Sequence, residues 1–283
     1  MNSHNYSRED FDRMMQVYLE LPKDIEVLTA KLSAADPFIR LASVMKMREL
    51  NDPQVMDALL AAFDDESENV RSMVALALVP YAEQGSLPSI LGHLANDPST
   101  MVRCMSAVAA GLTHTNAAMD ALSQALLDSD PTVRSTACGQ FADNNDKRAL
   151  GRIYDLHRDS EEIVRSQAAV TLIRLGVVDD IVMDMMINDP SMGVRREIVE
   201  ELLRLDVADP RIVEVIERMM NEPADTEHDG DKVRTKEIIL TCKSRNTGKA
   251  GEMLCNSVEA VKTPLTELLA KAHKLVGKSR SKR

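Results

Sequence analysis

The stretch "NDPSTMVRCMSAVAAGL" at 96–112 decides the fold, because the chain writes it more than once. It returns as "SDPTVRSTACGQF" at 129–141 and as "NDPSMGVRREIVEELLRL" at 188–205. Aligned on its Val/Ile-Arg pair, the pattern falls at Ile39-Arg40, Val70-Arg71, Val102-Arg103, Val133-Arg134, Val164-Arg165, Val194-Arg195 and Val233-Arg234. The arginines are separated by 31, 32, 31, 31, 30 and 39 residues. Acidic residues precede them at Asp36, Asp65, Asp97, Asp130, Asp159, Asp189 and Asp231. Self-similarity at such a period marks a supersecondary unit that is stacked several times.

Each unit reads as two helices. In the third, "SLPSILGHLA" is a short first helix, "NDPS" breaks it, and "TMVRCMSAVAAGL" is the second. Proline ends one helix and suits the first turn of the next. Asp or Ser in the break caps the second helix and complements its dipole. The fifth unit has no proline there, and "DSEEIVR" supplies a Ser and first-turn acids instead. Apolar residues follow each Arg at three, four, seven and eight positions, as in Ala168, Ala169 and Leu172. That is the stripe of a packed helix. One such hairpin cannot bury its apolar face alone, so the units must stack.

The pattern D-P-x-x-V-R-x-x-A-A-x-x-L, over about residues 23–245, resembles HEAT repeats. The short spacing is most similar to the HEAT-like class also found in phycobilisome lyases. The tetratricopeptide Trp-Leu-Gly-Tyr and ankyrin Thr-Pro-Leu-His patterns are absent as repeats. The resemblance implies an all-α fold, a right-handed α-α superhelix (solenoid) of about seven hairpins with capping helices at both ends. It also implies a ladder of Asp and Arg between successive units. The candidates are Asp36, Arg40, Asp65, Arg71, Asp97, Arg103, Asp130, Arg134, Asp159, Arg165, Asp189 and Arg195. An exposed ion pair contributes only ~0.2–1 kcal/mol. An Arg bonded to buried turn carbonyls contributes roughly 1.5–3 kcal/mol, enough when repeated to set the register of the stack.

Three segments are expected. Residues 1–22 form an N-terminal capping helix, "SREDFDRMMQVYLE" at 7–20, with Ser7 as its cap and Pro22 at its end. Residues 23–245 form the solenoid, whose seventh unit is stretched by the acidic loop "NEPADTEHDGD" at 221–231. Residues 246–283 form a C-terminal helical segment, with Leu265, Leu268, Leu269, Ala272 and Val276 on one face. From Lys271 onward it carries six basic residues and no acidic one.

Composition narrows the function. A formal charge of −11 and no Trp argue against a general nucleic-acid binder. The start lacks the features of a signal peptide, and no run reaches the ~18 apolar residues of a membrane span, so a cytoplasmic protein is expected. There is no His-Glu-x-x-His, P-loop, Gly-x-Gly-x-x-Gly or Gly-x-Ser-x-Gly. The repeated His-Glu pairs that hold iron in the HEAT-like deoxyhypusine hydroxylase have no counterpart, nor has the basic, aromatic-lined groove of HEAT-like DNA glycosylases. Cys104 and Cys138 read as packed thiols. No cofactor, metal or catalytic residue is assigned.

In HEAT-like stacks the second helices line the concave face. Positions two, five and nine after Arg are left for solvent or a partner. They are Met73, Leu76 and Pro80 in unit two, Met105, Val108 and Leu112 in unit three, and Glu197, Glu200 and Arg204 in unit six. The face is apolar and Met-rich toward the N-terminal half and charged toward the C-terminal half. Tight curvature that buries these residues is the competing reading. The expectation is a monomeric, non-catalytic scaffold or adaptor that binds another protein through a helix or extended segment. Two alternatives stay open. One is a bilin-lyase-like or chaperone role in cofactor attachment or metalloprotein maturation, and the other is nucleic-acid association through the basic tail.

Overall fold

The computed structural model describes residues 8–205, 207 and 209–221. The seventh Val-Arg pair, the acidic loop, the C-terminal helical segment and Ser7 lie outside the described residues. Every regular element among the described residues is a helix. The chain divides into two compact units, Met1–Val177 and Val178–Arg283.

The first unit opens with α1 (Arg8–Glu20), followed by five hairpins. Their first helices are α2 (Ile25–Lys31), α4 (Met56–Ala62), α6 (Leu87–Asn96), α8 (Asn116–Ala125) and α10 (Leu150–Asp155). Their second helices are α3 (Pro37–Leu50), α5 (Glu68–Ala77), α7 (Thr100–Leu112), α9 (Pro131–Asp143) and α11 (Glu162–Arg174). The second unit holds α12 (Asp180–Asn188), α13 (Met192–Arg204) and α14 (Pro210–Asn221). The all-α solenoid of stacked hairpins is therefore present. Each α3-to-α11 second helix packs on the next more extensively than the first helices pack on one another, so the second helices form the tighter layer of the first unit.

Local chemistry explains the boundaries. Asp36 and Asp130 stand before Pro37 and Pro131 and accept from the backbone N–H of Phe38 at 2.9 Å and of Thr132 at 2.8 Å. α5 is cut short at Ala77 because Pro80 cannot continue it. A 3-10 stretch, Val79–Gln84, follows and ends at Gly85, whose φ of 115° suits glycine. The layer is tight enough at Gly111 that a Cβ there would sit 1.9 Å from Oε1 of Gln140 on α9.

The positions three, four and seven after Arg are buried, as in Val74, Ala75 and Leu78. The core reaches further, to positions one and six: Ser72, Cys104, Ser135 and Ser166, then Ala77, Ala109 and Thr171 are buried as well. An internal second helix is flanked by the helix before it and the helix after it. It therefore buries both sides, where a single amphipathic stripe allows for one.

The arginines join the hairpins. Arg40 donates through Nε and Nη2 to the Asp65 carboxylate at 2.7 and 2.9 Å, and through Nη1 to the carbonyls of Ala34 and Ala35. Arg71 makes the same fork on Asp97 at 2.9 Å twice, Arg103 on Asp128 at 2.8 and 2.9 Å, and Arg134 on Asp159 at 2.8 Å twice. Each Nη1 turns back to the carbonyl six residues upstream: Asp65, Asp97, Asp128, Asp159 and, in the second unit, Asp189 for Arg195. So Asp97 takes Arg71 on its carboxylate and Arg103 on its carbonyl, and the chain of bonds runs from Arg40 to Arg165. The same carboxylates also accept the backbone N–H two residues on, at Ser67, Ser99, Asp130 and Glu161.

Two ladder assignments need correction. Asp130 is not the acceptor of Arg103; Asp128 is, and Asp130 caps α9 and accepts from Thr100 Oγ1 at 2.9 Å. The ladder position is six before Arg, and Asp130 is four before. Asp36 is likewise four before Arg40; besides its capping bond it pairs with Arg13 of α1 at 2.5 Å.

Burial, the largest single influence, pushes Asp97, Asp128 and Asp159 up, but the bonds from Arg71, Arg103 and Arg134, the backbone N–H bonds and the arginine charges together hold all three below the usual carboxylate range. A carboxyl held down in the fold stabilises it above the unfolded value, about 3.9, and that contribution is lost as pH falls through the folded value. Urea midpoints measured against pH should be flat from about pH 7 to 5 and fall below about pH 4. Asp128→Asn should flatten that acid limb. Removing one partner of a buried pair is costly, so Asp128→Ala should lower the unfolding free energy by about 3 kcal/mol. Asp130→Ala should lower it by about 1 kcal/mol, the loss of a cap. Equal losses would show that the six-residue spacing does not set the ladder.

Candidate functional site

The solvent side of the second-helix layer is set by helical phase. Two, five and nine residues after Arg, and two before it, lie within about 40° of the direction opposite the Arg. Met73 and Leu76 on α5 and Met105 and Val108 on α7 are half-buried, with Pro80 in the 3-10 stretch and Leu112 at the end of α7 exposed. Sequence reasoning missed two residues of the same surface. Met45, five after Arg40, is half-buried on α3, and Met101, two before Arg103, is 42% exposed. The signal was available: the phase that selects Met105 also selects Met101.

Met45 and Met73 line a cleft of about 330 Å3 with Tyr18, Arg48 and Glu49. Its polar edge is tied together. Glu49 accepts from Tyr18 Oη at 2.8 Å and from Lys23 Nζ at 2.6 Å, and Lys46 Nζ stands 4.0 Å from the Tyr18 ring centre. The bonds from Lys23 and Tyr18 hold the Glu49 carboxyl below its ordinary value. These contacts seat α1 on α3. Beyond α7 the row turns polar, to Thr136 and Gly139 on α9 and Gln167 on α11, with Val170 as the apolar exception.

Glu197, Glu200 and Arg204 stand on α13 of the second unit. Burial and the like charge of Glu197 push the Glu200 carboxyl up against the pull of Arg196, 3.5 Å away. Arg204 is exposed and forks onto Glu201. The charged set is thus largely occupied with partners on its own helix.

A second cleft, of about 510 Å3, lies over Phe63, His93 and the Arg71–Asp97 fork. His93 stacks on Phe63 with ring centres 3.7 Å apart and places Nδ1 2.9 Å from Asp97 Oδ2. It completes the ladder at that rung. Cys104 and Cys138 are buried. Burial raises both thiols, Cys138 up to about 12. Among the described residues no group of three His, Cys, Asp or Glu is placed to hold a metal, and no helix is long and apolar enough to cross a membrane.

Residues 25–112 match the family model described as HEAT repeats. The hairpins after that segment continue the same all-α solenoid. No curated protein matches the sequence. Among solved structures, YibA of E. coli is similar at 15% identity and a TM-score of 0.58, covering 95% of this chain and 99% of that one. The CpcE–CpcF complex of phycocyanin lyase from Nostoc sp. is similar at 16% identity and a TM-score of 0.48, covering 96% and 100%. Human deoxyhypusine hydroxylase is similar at 14% identity and a TM-score of 0.35, covering 71% and 91%. The likeness to YibA is one of fold; the lower scores of the other two carry no functional weight.

A thiol reacts as its thiolate, so a buried Cys with a raised pKa is inert. Iodoacetamide at pH 8 should leave Cys104 and Cys138 unmodified in the folded chain under conditions that alkylate both in urea, read by peptide mass spectrometry. Rapid native alkylation of Cys138 would contradict its burial.

Proposed function

We propose that the chain is a protein-binding scaffold whose working surface is the solvent side of the second helices in the first unit. One observation carries this reading. Met45, Met73, Leu76, Met105 and Val108 form a row across three successive helices that folding leaves half open. Scattered apolar side chains on a surface need no explanation, whereas a contiguous apolar row marks a place where something docks. Methionine suits such a surface because its flexible, polarizable side chain adapts to a partner. The ladder supports the reading from below, since it fixes the spacing of the helices that display the row. The surface recognises and holds; no chemistry from the chain is needed.

The test is affinity capture of the tagged full chain from its own cell, with an absorption spectrum of the eluate. The expected result is a colourless eluate with one stoichiometric protein, whose recovery falls at least about tenfold in Met73→Glu and Met105→Glu at unchanged helicity. Undiminished capture by both variants overturns the reading, and so does their unfolding, which would make these side chains core. A pigment or metal in the eluate replaces the reading with a role in cofactor handling.

A further inference from the structure

The sulfur atoms of this chain meet solvent very unevenly. The thiols of Cys104 and Cys138, the groups that most readily take up an oxidant when open, are buried at 6% and 0% exposure. The thioethers divide. Met47, Met119 and Met186 lie in the core at 0%, 3% and 0%. Of the methionines described in the first unit, Met101 is the most open to solvent, at 42%. Three of the five half-buried ones, Met45, Met73 and Met105, lie on the same solvent side of the second helices, and the other two are Met15 and Met56. The oxidisable sulfur that water reaches is thus concentrated on the surface where apolar contact matters most.

A thioether reacts with a hydroperoxide without help from the rest of the chain. The sulfur lone pair attacks the distal peroxide oxygen, the O–O bond breaks, and that oxygen stays on sulfur as a sulfoxide. Sulfur is oxidised by two electrons. The peroxide is reduced, and the proton of the distal oxygen passes to the departing oxygen, which leaves as an alcohol or, from hydrogen peroxide, as water. The sulfoxide is polar where the thioether was apolar. Covering a polar group without giving it a hydrogen bond is costly, so a partner that docks through apolar contact is disfavoured by the change. The fold has less at stake, because all four row methionines already meet water on one side. In the cleft lined by Met45 and Met73 the new oxygen also finds a donor. Arg48 lines the same cleft and makes no hydrogen bond or ion pair of its own among the described residues.

From this we propose, resting on the scaffold reading above, that Met45, Met73, Met101 and Met105 are a site of reversible modification: a hydroperoxide converts them to sulfoxides, and the modified row releases its partner. Reductases, one for each sulfoxide epimer, return the thioether and reset the row. Leucine is apolar and of similar volume, so it offers the same docking surface without this chemistry. Met192 provides the contrast. It is 46% exposed, but it stands on α13 of the second unit and outside the row. Its oxidation should proceed and leave the partner bound.

The test treats the folded full chain with hydrogen peroxide and follows each methionine by peptide mass spectrometry. Met101 should be oxidised at least about tenfold faster than Met47, Met119 and Met186, with Met45, Met73 and Met105 between them, and all at similar rates in urea. The reduced, oxidised and reductase-treated chains then capture protein from the cell's own extract. Recovery of the partner should fall at least about tenfold on oxidation and return after reduction, at unchanged helicity. A chain with Met45→Leu, Met73→Leu, Met101→Leu and Met105→Leu should capture the same protein before and after peroxide, although its Met192 is oxidised. Met192→Leu alone should leave the loss intact. The switch is overturned if the row is oxidised no faster than the core, if the oxidised chain keeps its partner, or if reduction does not restore it. Loss of binding that persists in the fourfold leucine chain, or disappears in Met192→Leu, overturns it too. So does loss of helicity on oxidation, since release would then follow from unfolding. In all these cases the scaffold reading stands as long as the reduced wild-type chain captures its partner. If the reduced chain captures nothing, the scaffold reading falls and takes the switch with it.

Discussion

An arginine that uses its donors twice over holds the stack together. In Arg71 the Nε and Nη2 edge grips the Asp97 carboxylate of the next hairpin, and Nη1 grips the Asp65 carbonyl of its own. The guanidinium is a rigid planar fork, and a lysine cannot replace it in this geometry. Side-chain exposure of 12% for Arg71 and 2% for Asp97 shows how far the charges are removed from water. Such a pair is expensive to assemble and more expensive to break. Its value is specificity of register: each rung admits one offset between successive hairpins. Everything above the ladder inherits that offset, including the close approach of Gly111 to Gln140.

The acid sensitivity of the fold and the geometry of its surface have a common origin in these rungs. Where the next carboxylate comes six residues before the next arginine, the two hairpins are locked. At the first hairpin, where an alanine occupies that place, Arg40 still takes the Ala34 carbonyl, and Asp36 is released to hold Arg13 of α1. α1 is thus attached by a different set of contacts, through Arg13, Tyr18, Lys23 and Lys46, and Tyr18 also walls the cleft beside Met45 and Met73.

Much of this was legible in the residues. The recurrence of Val-Arg gives the hairpins and their order, since a helix pair of this length has no other way to bury its apolar side. The ladder acceptor in the fourth unit was less legible, because "DSDP" offers two aspartates and the Asp-Pro pair is the more conspicuous. The deciding signal was the constant distance of six, which Asp128 keeps and Asp130 does not. The buried set was underestimated at Ser72, Ser135 and Thr171, because an amphipathic-helix template assumes one packed side. Met101 escaped for a related reason: counting forward from Arg overlooks the residue that precedes it on the same side. The placement of Glu197, Glu200 and Arg204 is a matter of α13 alone, where Arg196 and Glu201 compete for them, a competition that spacing does not reveal.

The account rests on the second helices, and not the first, being the side that meets a partner. Amide hydrogen exchange of the full chain, alone and with its captured partner, measures this directly. Added protection concentrated in α5 and α7, with α4, α6 and α8 unchanged, is the predicted result. Protection confined to the first helices, with α5 and α7 exchanging as they do in the free chain, would contradict it.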